Sequence, residues 1–231
     1  MEQYHGIIKK CPLFNTIKED QYEFLLNCIN AYIKTYNTGD YIFITGDNVN
    51  SLGIILSGAV EIIKENPAGS RHILSFLGPS NLFGEGIVCT KDRISPVSVH
   101  VKMPSKILMI PFDRVIRPCG NACDFHNLLI KNMIMLLGEK NMGLNYKIEL
   151  LMIKGMREKL ATYLLSESKI QHSNTFQIIP NRNELAEYLN VSRTSMCREL
   201  SRMKECGMID YYQNSFQIKS IPLLTECLSE I

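Results

Sequence analysis

The chain has 231 residues, of which 45% are hydrophobic and 21% are charged, and its formal net charge is +2. This length allows two domains that each bury a core, and the composition is typical of a soluble globular protein. The near-neutral charge excludes a globally basic nucleic-acid-binding chain, and the lack of an apolar run of roughly 20 residues argues against a membrane partner.

The N-terminal residues predict an intracellular protein that begins with a helix. The segment MEQYHGIIKKCPLF lacks the charged-then-apolar layout of a signal peptide, so we expect a cytoplasmic location. Thr16 and Glu19 have the spacing of a capping box, and apolar residues follow at helical intervals. An amphipathic helix is therefore predicted over about 18–30.

From residue 31 to about 111, short runs rich in β-branched and aromatic residues alternate with turn residues. The runs are AYIKTY, YIFI, LGIIL, AVEIIK, RHILSFL, VSVHV and KILMI. The turns between them include Ser57-Gly58 and 66–69. Many short, regularly spaced strands predict an antiparallel barrel or double-sheet jelly roll.

Such a barrel can be a scaffold, a ligand cup or a metalloenzyme. A metalloenzyme needs clustered ligands, whereas the five histidines are scattered: His5, His72, His100, His126 and His172. The eight cysteines also lack metal-site spacing, with Cys119 and Cys123 the closest pair. We therefore predict free thiols, no metal and no catalytic site, and a redox or cluster role is the alternative.

Helical periodicity returns at about residue 124, with a heptad repeat. The predicted seam consists of Ile130, Ile134, Leu137, Asn141, Leu144, Ile148 and Leu151. Asn141 is costly to bury within an apolar seam unless its twin faces it across a dimer axis. The pattern favours a parallel homodimer over a single helix that packs on the barrel, and Gly155 marks a predicted hinge.

The C-terminal part predicts a helix over 156–167, a short strand over 176–179 and then a pair of helices over 181–207. Asn181 and Glu184 have capping-box spacing, Asn190 to Ser192 form a tight polar turn, and Ser192 is a good N-cap for the second helix. Two strand-like runs, 208–212 and 215–219, flank Gln213-Asn214 and predict a hairpin that can serve as a wing.

The second helix of this pair is predicted to have two faces. Met196, Leu200 and Met203 cluster on the inward side. The opposite side carries the candidate DNA-binding residues Arg193, Thr194, Arg198, Ser201 and Arg202. Arginine can bridge guanine O6 and N7 in the major groove, while small hydroxyls hold phosphates. The alternative is an ordinary solvated face, since Glu199 and Glu205 dilute the basic patch.

The order of these parts resembles the CRP/FNR family of bacterial transcription regulators over nearly the whole chain. The specific strings are GDYIFITGD (39–47), ILSGAVEI (55–62), FGE (83–85) and VSRTSMCREL (191–200). The resemblance implies an α+β protein with a jelly-roll sensor domain (1–123), a dimerisation helix (124–154) and a winged helix-turn-helix domain (155–231). It further implies a homodimer that binds a near-palindromic double-stranded DNA operator and contacts RNA polymerase, and it agrees with DNA contacts by Arg193 and Arg198.

The predicted sensor site departs from the nucleotide-binding members of that family. Gly84 and Glu85 match their Gly-Glu pair, but Ser95-Pro96 stands where they carry Arg-Ser, and Arg93 is two residues early. Leu144 and Asn145 occupy the positions whose hydroxyls hold adenine. The candidate effector-binding residues are therefore Gly84, Glu85, Arg93, Ser95, Leu144 and Asn145. A buried phosphate needs compensation, so we expect little binding of cyclic AMP and an unknown, less charged effector, if any.

Two functions from different classes fit these features. The favoured one is a DNA-binding transcriptional regulator without enzymatic activity. The alternative is a ligand-binding regulatory module that acts through protein contacts, with a degenerate C-terminal domain. The exposed arginine face decides for the first, because such a face has no role in the second.

Overall fold

A computed structural model describes residues 2–65, 71–117 and 124–228. The chain folds into two compact units, Met1–Lys140 and Asn141–Ile231. The predicted turn at 66–69 and the pair Cys119 and Cys123 lie outside the described residues. The three-part division at 123 and 154 stays a prediction. Among the described helices, none combines the length and hydropathy of a membrane-spanning segment.

The first unit begins with short helices, and the helix predicted over 18–30 is a 3-10 turn that continues directly into a shorter α-helix. Helix α1 is His5–Ile8 and helix α2 is Tyr22–Cys28, with a 3-10 turn at Glu19–Gln21 before it. Thr16 has a positive φ of 66°, and its hydroxyl donates to the Asn15 carbonyl. The predicted Thr16–Glu19 capping box is therefore wrong, because Thr16 closes a turn instead.

The strands of this unit form an antiparallel sheet, as predicted. They are β1 (Tyr32–Tyr36), β2 (Tyr41–Phe43), β3 (Ser51–Glu65), β4 (Arg71–Leu77), β5 (Leu82–Phe83) and β6 (Ser98–Pro111). The order is β1-β6-β3-β4, with β2 also paired to β6 and β5 to β3. Helices α3 (Glu85–Val88) and α4 (Phe112–Ile116) follow β5 and β6.

The two central strands are longer than the sequence runs that predicted them. LGIIL and AVEIIK join into β3, and VSVHV and KILMI join into β6. Gly58 has a φ of 87° at a register shift, and a Cβ there would collide with Ser105 and the Pro104 carbonyl. The Ser57-Gly58 turn prediction is therefore wrong: the pair forms a bulge within a continuous strand.

Helix α5 (Asp124–Met152) runs through the boundary between the units. Its first half packs Leu129, Met133 and Leu136 into the core of the first unit. The buried Asn132 amide donates to the carbonyls of Leu13 (3.0 Å) and Asn15 (2.7 Å). Its last turns place Leu150 in the core of the second unit.

The second unit has the helix-turn-helix and hairpin that the sequence predicts. Its elements are α6 (Met156–Ile170), β7 (Thr175–Gln177), α7 (Arg182–Leu189), α8 (Arg193–Glu205), β8 (Ile209–Tyr212), β9 (Ser215–Ile218) and α9 (Ile221–Glu226). Strand order is β7-β9-β8. With the antiparallel sheet of the first unit and the long helix, this confirms the predicted α+β fold class.

Candidate DNA-reading surface and sensor site

The start of α7 is fixed by the capping box that the sequence predicts. The Asn181 side chain accepts from the backbone N–H groups of Asn183 (2.9 Å) and Glu184 (3.1 Å), and Glu184 Oε2 accepts from Asn181 N (2.8 Å). Helix α7 ends at Asn190, which has a left-handed φ of 51°. Ser192 is the N-cap residue of α8, although its side chain makes no capping hydrogen bond. These termini set the angle at which α8 is presented.

Helix α8 has the two faces that the sequence predicts. Met196, Leu200 and Met203 are at most 1% exposed and belong to the core. All five candidate DNA-binding residues, Arg193, Thr194, Arg198, Ser201 and Arg202, are exposed. Four of them and Cys197 line a shallow groove of about 370 Å³. The geometry suits a helix that inserts into a groove of DNA.

The five residues differ in how far their side chains are already engaged. Among the described residues, Arg193, Thr194 and Arg198 make no side-chain hydrogen bond or ion pair. The Ser201 hydroxyl donates to the Cys197 carbonyl at 3.1 Å and lies 3.3 Å from the Tyr211 hydroxyl. The first three are therefore available to DNA, whereas Ser201 is held within the domain.

Glu199 does not weaken the basic face in the way the sequence indicated. Its side chain is turned inward, 11% exposed, and its Oε1 accepts from Arg157 Nε of α6 at 2.6 Å. Its Oε2 lies 3.4 Å from Arg202 NH1. The acid is thus neutralised inside the domain, and Arg202 is partly drawn toward it.

A second, larger groove of about 640 Å³ lies beside the N-terminus of α7 and the tip of the β8–β9 hairpin. Asn181, Arg182, Arg193, Gln213 and Asn214 are among its lining residues. Amide, guanidinium and backbone donors at a helix N-terminus suit phosphate oxygens. The hairpin therefore lies on the same side of the domain as Arg193, which is the position of a wing.

In the first unit, Gly84 is the N-cap residue of α3 and Glu85 is its first residue. Gly84 has a φ of 83°, and a Cβ there would lie 3.3 Å from the Ser51 carbonyl oxygen. Both the backbone conformation and the close contact therefore favour glycine at this position. Glu85 is 8% exposed, and its Oε1 is paired with Lys140 Nζ of α5. Its Oε2 is buried without a hydrogen-bond partner among the described residues. Burial raises the pKa of the nearby Cys11 thiol to about 11, with Glu85 adding to the rise.

The sequence does not indicate Lys140 as a site residue, because the family motif has its cation near residue 95. It occupies the position next to Asn141 of the predicted seam, which the heptad pattern treats as flanking the interface. The structure nevertheless brings its ammonium to the Glu85 carboxylate. A lysine flanking a seam can bridge to a partner helix or turn back to its own domain, and sequence spacing cannot distinguish these.

Arg93 and Ser95 are engaged with other residues. Arg93 donates to Asn50 Oδ1 (3.1 Å) and to Asp113 Oδ1 (2.8 Å), and its guanidinium lies over the Phe112 ring. The Arg93 hydrogen bond holds the pKa of the Asp113 carboxyl below its usual value. The buried Ser95 hydroxyl donates to the Val97 carbonyl at 2.7 Å. Within the described residues neither side chain hydrogen-bonds Glu85.

Leu144 and Asn145 lie on α5 in the second unit, and both are exposed. They share that helix with the predicted seam, whose apolar members are largely uncovered. Ile134 is 65% exposed, Leu144 64% and Ile148 54%. Leu151 and Asn141 are also exposed, and Ile130 and Leu137 are half-buried. An uncovered apolar stripe along a helix of 29 residues calls for a partner surface.

Comparison with known proteins covers both units. Residues 33–119 match the model of the cyclic nucleotide-binding domain, and residues 158–227 match the Crp-like helix-turn-helix domain. The cyclic AMP receptor protein of Thermus thermophilus is 25% identical over 221 residues, which cover 95% of this chain and 97% of that protein. The transcriptional activator protein anr of Pseudomonas aeruginosa is 25% identical over 176 residues, 74% of this chain and 70% of that protein.

Solved structures share the fold. The catabolite activator protein of Thermus thermophilus matches with a TM-score of 0.53 and 23% identity, covering 94% of this chain and 98% of that one. The c-di-GMP responsive global regulator CLP of Xanthomonas campestris matches with a TM-score of 0.55 and 18% identity, covering 88% and 100%. These likenesses extend over both the sensor domain and the helix-turn-helix domain.

Proposed function

From the premise that the chain belongs to the CRP/FNR family of DNA-binding transcriptional regulators, we propose that it acts as a homodimer that reads a near-palindromic operator with α8. The observation that carries this is the division of α8 into a buried methionine and leucine face and an exposed face with two unengaged arginines, Arg193 and Arg198. Arginine fork geometry recognises guanine in the major groove.

We assign the DNA contacts to residues by their engagement within the domain. Arg193, Thr194 and Arg198 contact bases or phosphates directly, because no ion pair or hydrogen bond among the described residues competes for their side chains. Arg202 contributes more weakly, since Glu199 attracts its guanidinium. Ser201 contributes least, because its hydroxyl already donates to a carbonyl.

The homodimer is proposed to form along the exposed stripe of α5. Ile134, Leu144 and Ile148 are each more than half exposed in the single chain. Asn141 lies between them and would pair with its twin across a two-fold axis, fixing the register of a parallel pair. Two copies of α8 would then enter successive major grooves, with half-sites roughly 34–36 Å apart.

The further partner is RNA polymerase, proposed from the family, and the place of action is the cytoplasm, where the operator DNA is. Regulation requires binding of DNA and of a signal, so we assign the protein no enzymatic step.

For the signal, we propose an effector other than cyclic AMP. The named relatives respond to different ligands: one is a cyclic AMP receptor protein and another is c-di-GMP responsive. Here the Lys140 ammonium is already paired with Glu85, so a cyclic phosphate would have to compete with that carboxylate for it. Arg93 is held by Asp113, and Ser95 by Val97. A less charged ligand costs less to bury beside Glu85.

A gel-shift experiment tests the proposal against the alternative of a regulatory module that acts only through proteins. Fragments of the protein's own promoter region are titrated with the full chain in the presence of excess non-specific DNA. A retarded band that the Arg193→Ala/Arg198→Ala double variant fails to produce supports reading by α8. Equal retardation by parent and double variant contradicts it. Failure of the parent to enrich any duplex from a randomised pool also contradicts it.

A further inference from the structure

Arg182, the first residue of α7, packs against two aromatic rings of the hairpin that also contact each other. Its guanidinium carbon is 5.0 Å from the ring centre of Tyr211 and 4.7 Å from that of Phe216. Phe216 is 1% exposed, so one of these contacts is made against a rigid core ring. Cation–π contacts of a desolvated guanidinium are stronger than exposed ones, and arginine stacks where lysine cannot.

The same guanidinium also reaches the tip of the hairpin. Arg182 NH2 donates to the Gln213 carbonyl at 2.8 Å. Gln213 has a positive φ of 50°, a conformation that a two-residue hairpin loop requires but that a residue other than glycine or asparagine adopts at a cost. The hydrogen bond from Arg182 therefore holds the tip in a conformation that its own sequence does not favour.

Tyr211 of the hairpin also contacts helix α8. Its ring faces Arg182 on α7 and lies 5.4 Å from Lys204 Nζ of α8, while its hydroxyl is 3.3 Å from the Ser201 hydroxyl. Lys204 is also paired with Asp210, the residue before Tyr211, at 2.6 Å. The hairpin is thus tied to both helices of the helix-turn-helix through one tyrosine.

Holding Arg182 in this place has a cost. Its NH1 is buried and has no hydrogen-bond partner among the described residues, and burial lowers the pKa of the guanidinium. A buried donor without an acceptor opposes folding. A methionine of similar length would pack against the same rings without that cost, so stability alone does not explain an arginine here.

We infer that Arg182 is a positioning residue for DNA binding, which sets the hairpin tip against the phosphate backbone while α8 reads the bases. The inference rests on the proposed function and adds to it a residue that acts through Gln213 and Tyr211. The phosphate backbone of the DNA would lie in the groove that Arg182 shares with Arg193 and Asn214.

The test uses the full chain and a duplex that the parent selects from a randomised pool. Arg182→Lys keeps a positive charge and loses the planar stack, and Arg182→Met keeps the stem alone. Lys169→Met removes an exposed charge at the end of α6 and serves as the control. Affinity, its dependence on salt and hydroxyl-radical footprints are measured, with thermal unfolding to confirm folding.

Both Arg182 variants are expected to lose affinity on the order of tenfold, while the control is unchanged. Their footprints should keep the protection centred on each half-site and lose the protection of the deoxyribose sugars on either side of it. Parent-like affinity and salt slope for Arg182→Lys would show a phosphate ligand instead and overturn the inference. Uniform loss of the whole footprint would show a merely structural role and also overturn it.

A variant of Tyr211 provides a second test of the inference if Arg182→Met does not fold. Tyr211→Leu should reproduce the loss of flanking protection, and combining it with Arg182→Lys should add nothing further, because both act on one unit. Additive losses would contradict the coupling. Failure of the parent to select any duplex is a different result, which refutes the proposed function itself.

Discussion

Arg157 Nε lies 2.6 Å from Glu199 Oε1, so an ion pair joins α6 to the buried side of α8. The Glu199 side chain is only 11% exposed, whereas that of Arg157 is 39% exposed. The hydrogen bond to Glu199 raises the pKa of Arg157. The pair therefore links α6 to the buried side of α8.

Removing Arg157 should destabilise the C-terminal domain. Arg157→Met leaves the Glu199 carboxylate buried with only the weaker Arg202 contact, at an expected cost of about 1–3 kcal/mol of unfolding free energy. Urea unfolding measures this loss, and adding Glu199→Met should recover part of it. Arg202→Met is the matched control, because its side chain is 67% exposed and its loss should cost less than about 0.5 kcal/mol. Equal costs for the two arginines would contradict the account.

Replacing the seam asparagine should tighten association. Asn141→Ile removes a polar group from the proposed apolar interface, so the dimer should become more stable. The helix register and the number of associating chains should become less well defined. Sedimentation equilibrium measures both effects, as a lower dissociation constant and the appearance of larger species. Glu139→Ile, two residues away and outside the seam, should change neither. A parent that is monomeric at micromolar concentration and still binds its operator would refute the seam.

The Arg93–Asp113 pair gives a prediction for pH. The pKa of Asp113 lies below its ordinary value of 3.8 because Arg93 donates to it. A lowered folded-state pKa means that the stabilisation is complete above the unfolded pKa and is lost as the pH falls through the folded one. The melting temperatures of parent and Asp113→Asn should therefore differ at neutral pH and converge below about pH 4. Arg93→Met should show the same convergence, and a difference that stays constant as the pH falls from neutral through the acid range would exclude the pair as its cause.

Cyclic AMP should bind weakly or not at all. Calorimetry at high protein concentration is expected to give a dissociation constant no tighter than roughly 1 mM, a binding free energy of about −4 kcal/mol or weaker. The physical reason is that Lys140 is already neutralised by Glu85, and Arg93 by Asp113. A low-micromolar constant that Glu85→Ala or Lys140→Gln abolishes would mean that the ligand displaces the ion pair and that our interpretation of the site is mistaken.

The structural features that can be predicted from the sequence are those set by residue spacing and capping or turn chemistry within a short segment. The Asn181 cap, the buried face of α8 and the hairpin around Gln213 follow from spacing within one element, and the structure confirms them. Strand β3 is predicted as two strands because the sequence does not distinguish a glycine at a β-bulge from a glycine at a turn. The position of Gly58 against Ser105 depends on a strand 47 residues later.

Side-chain partners across elements were the least predictable part. Glu199 looks like an exposed acid in the sequence, but Arg157, on another helix, draws it inward. Lys140 and Arg182 were missed for the same reason, since each finds its partner on a distant element. Helical spacing shows which side of a helix a residue lies on, but not which charge lies opposite that side in the fold.

The central claim, that the exposed face of α8 reads an operator, is tested most directly by Arg198→Ala on a set of duplexes that differ at single base pairs. Fluorescence anisotropy at matched salt should show a loss of about 1–3 kcal/mol on the selected operator, with discrimination relaxed at one base pair in each half-site. Melting temperature should be unchanged, because Arg198 is exposed and unengaged within the described structure. Equal affinity of parent and variant for the operator, with unchanged discrimination at every position, would contradict the claim.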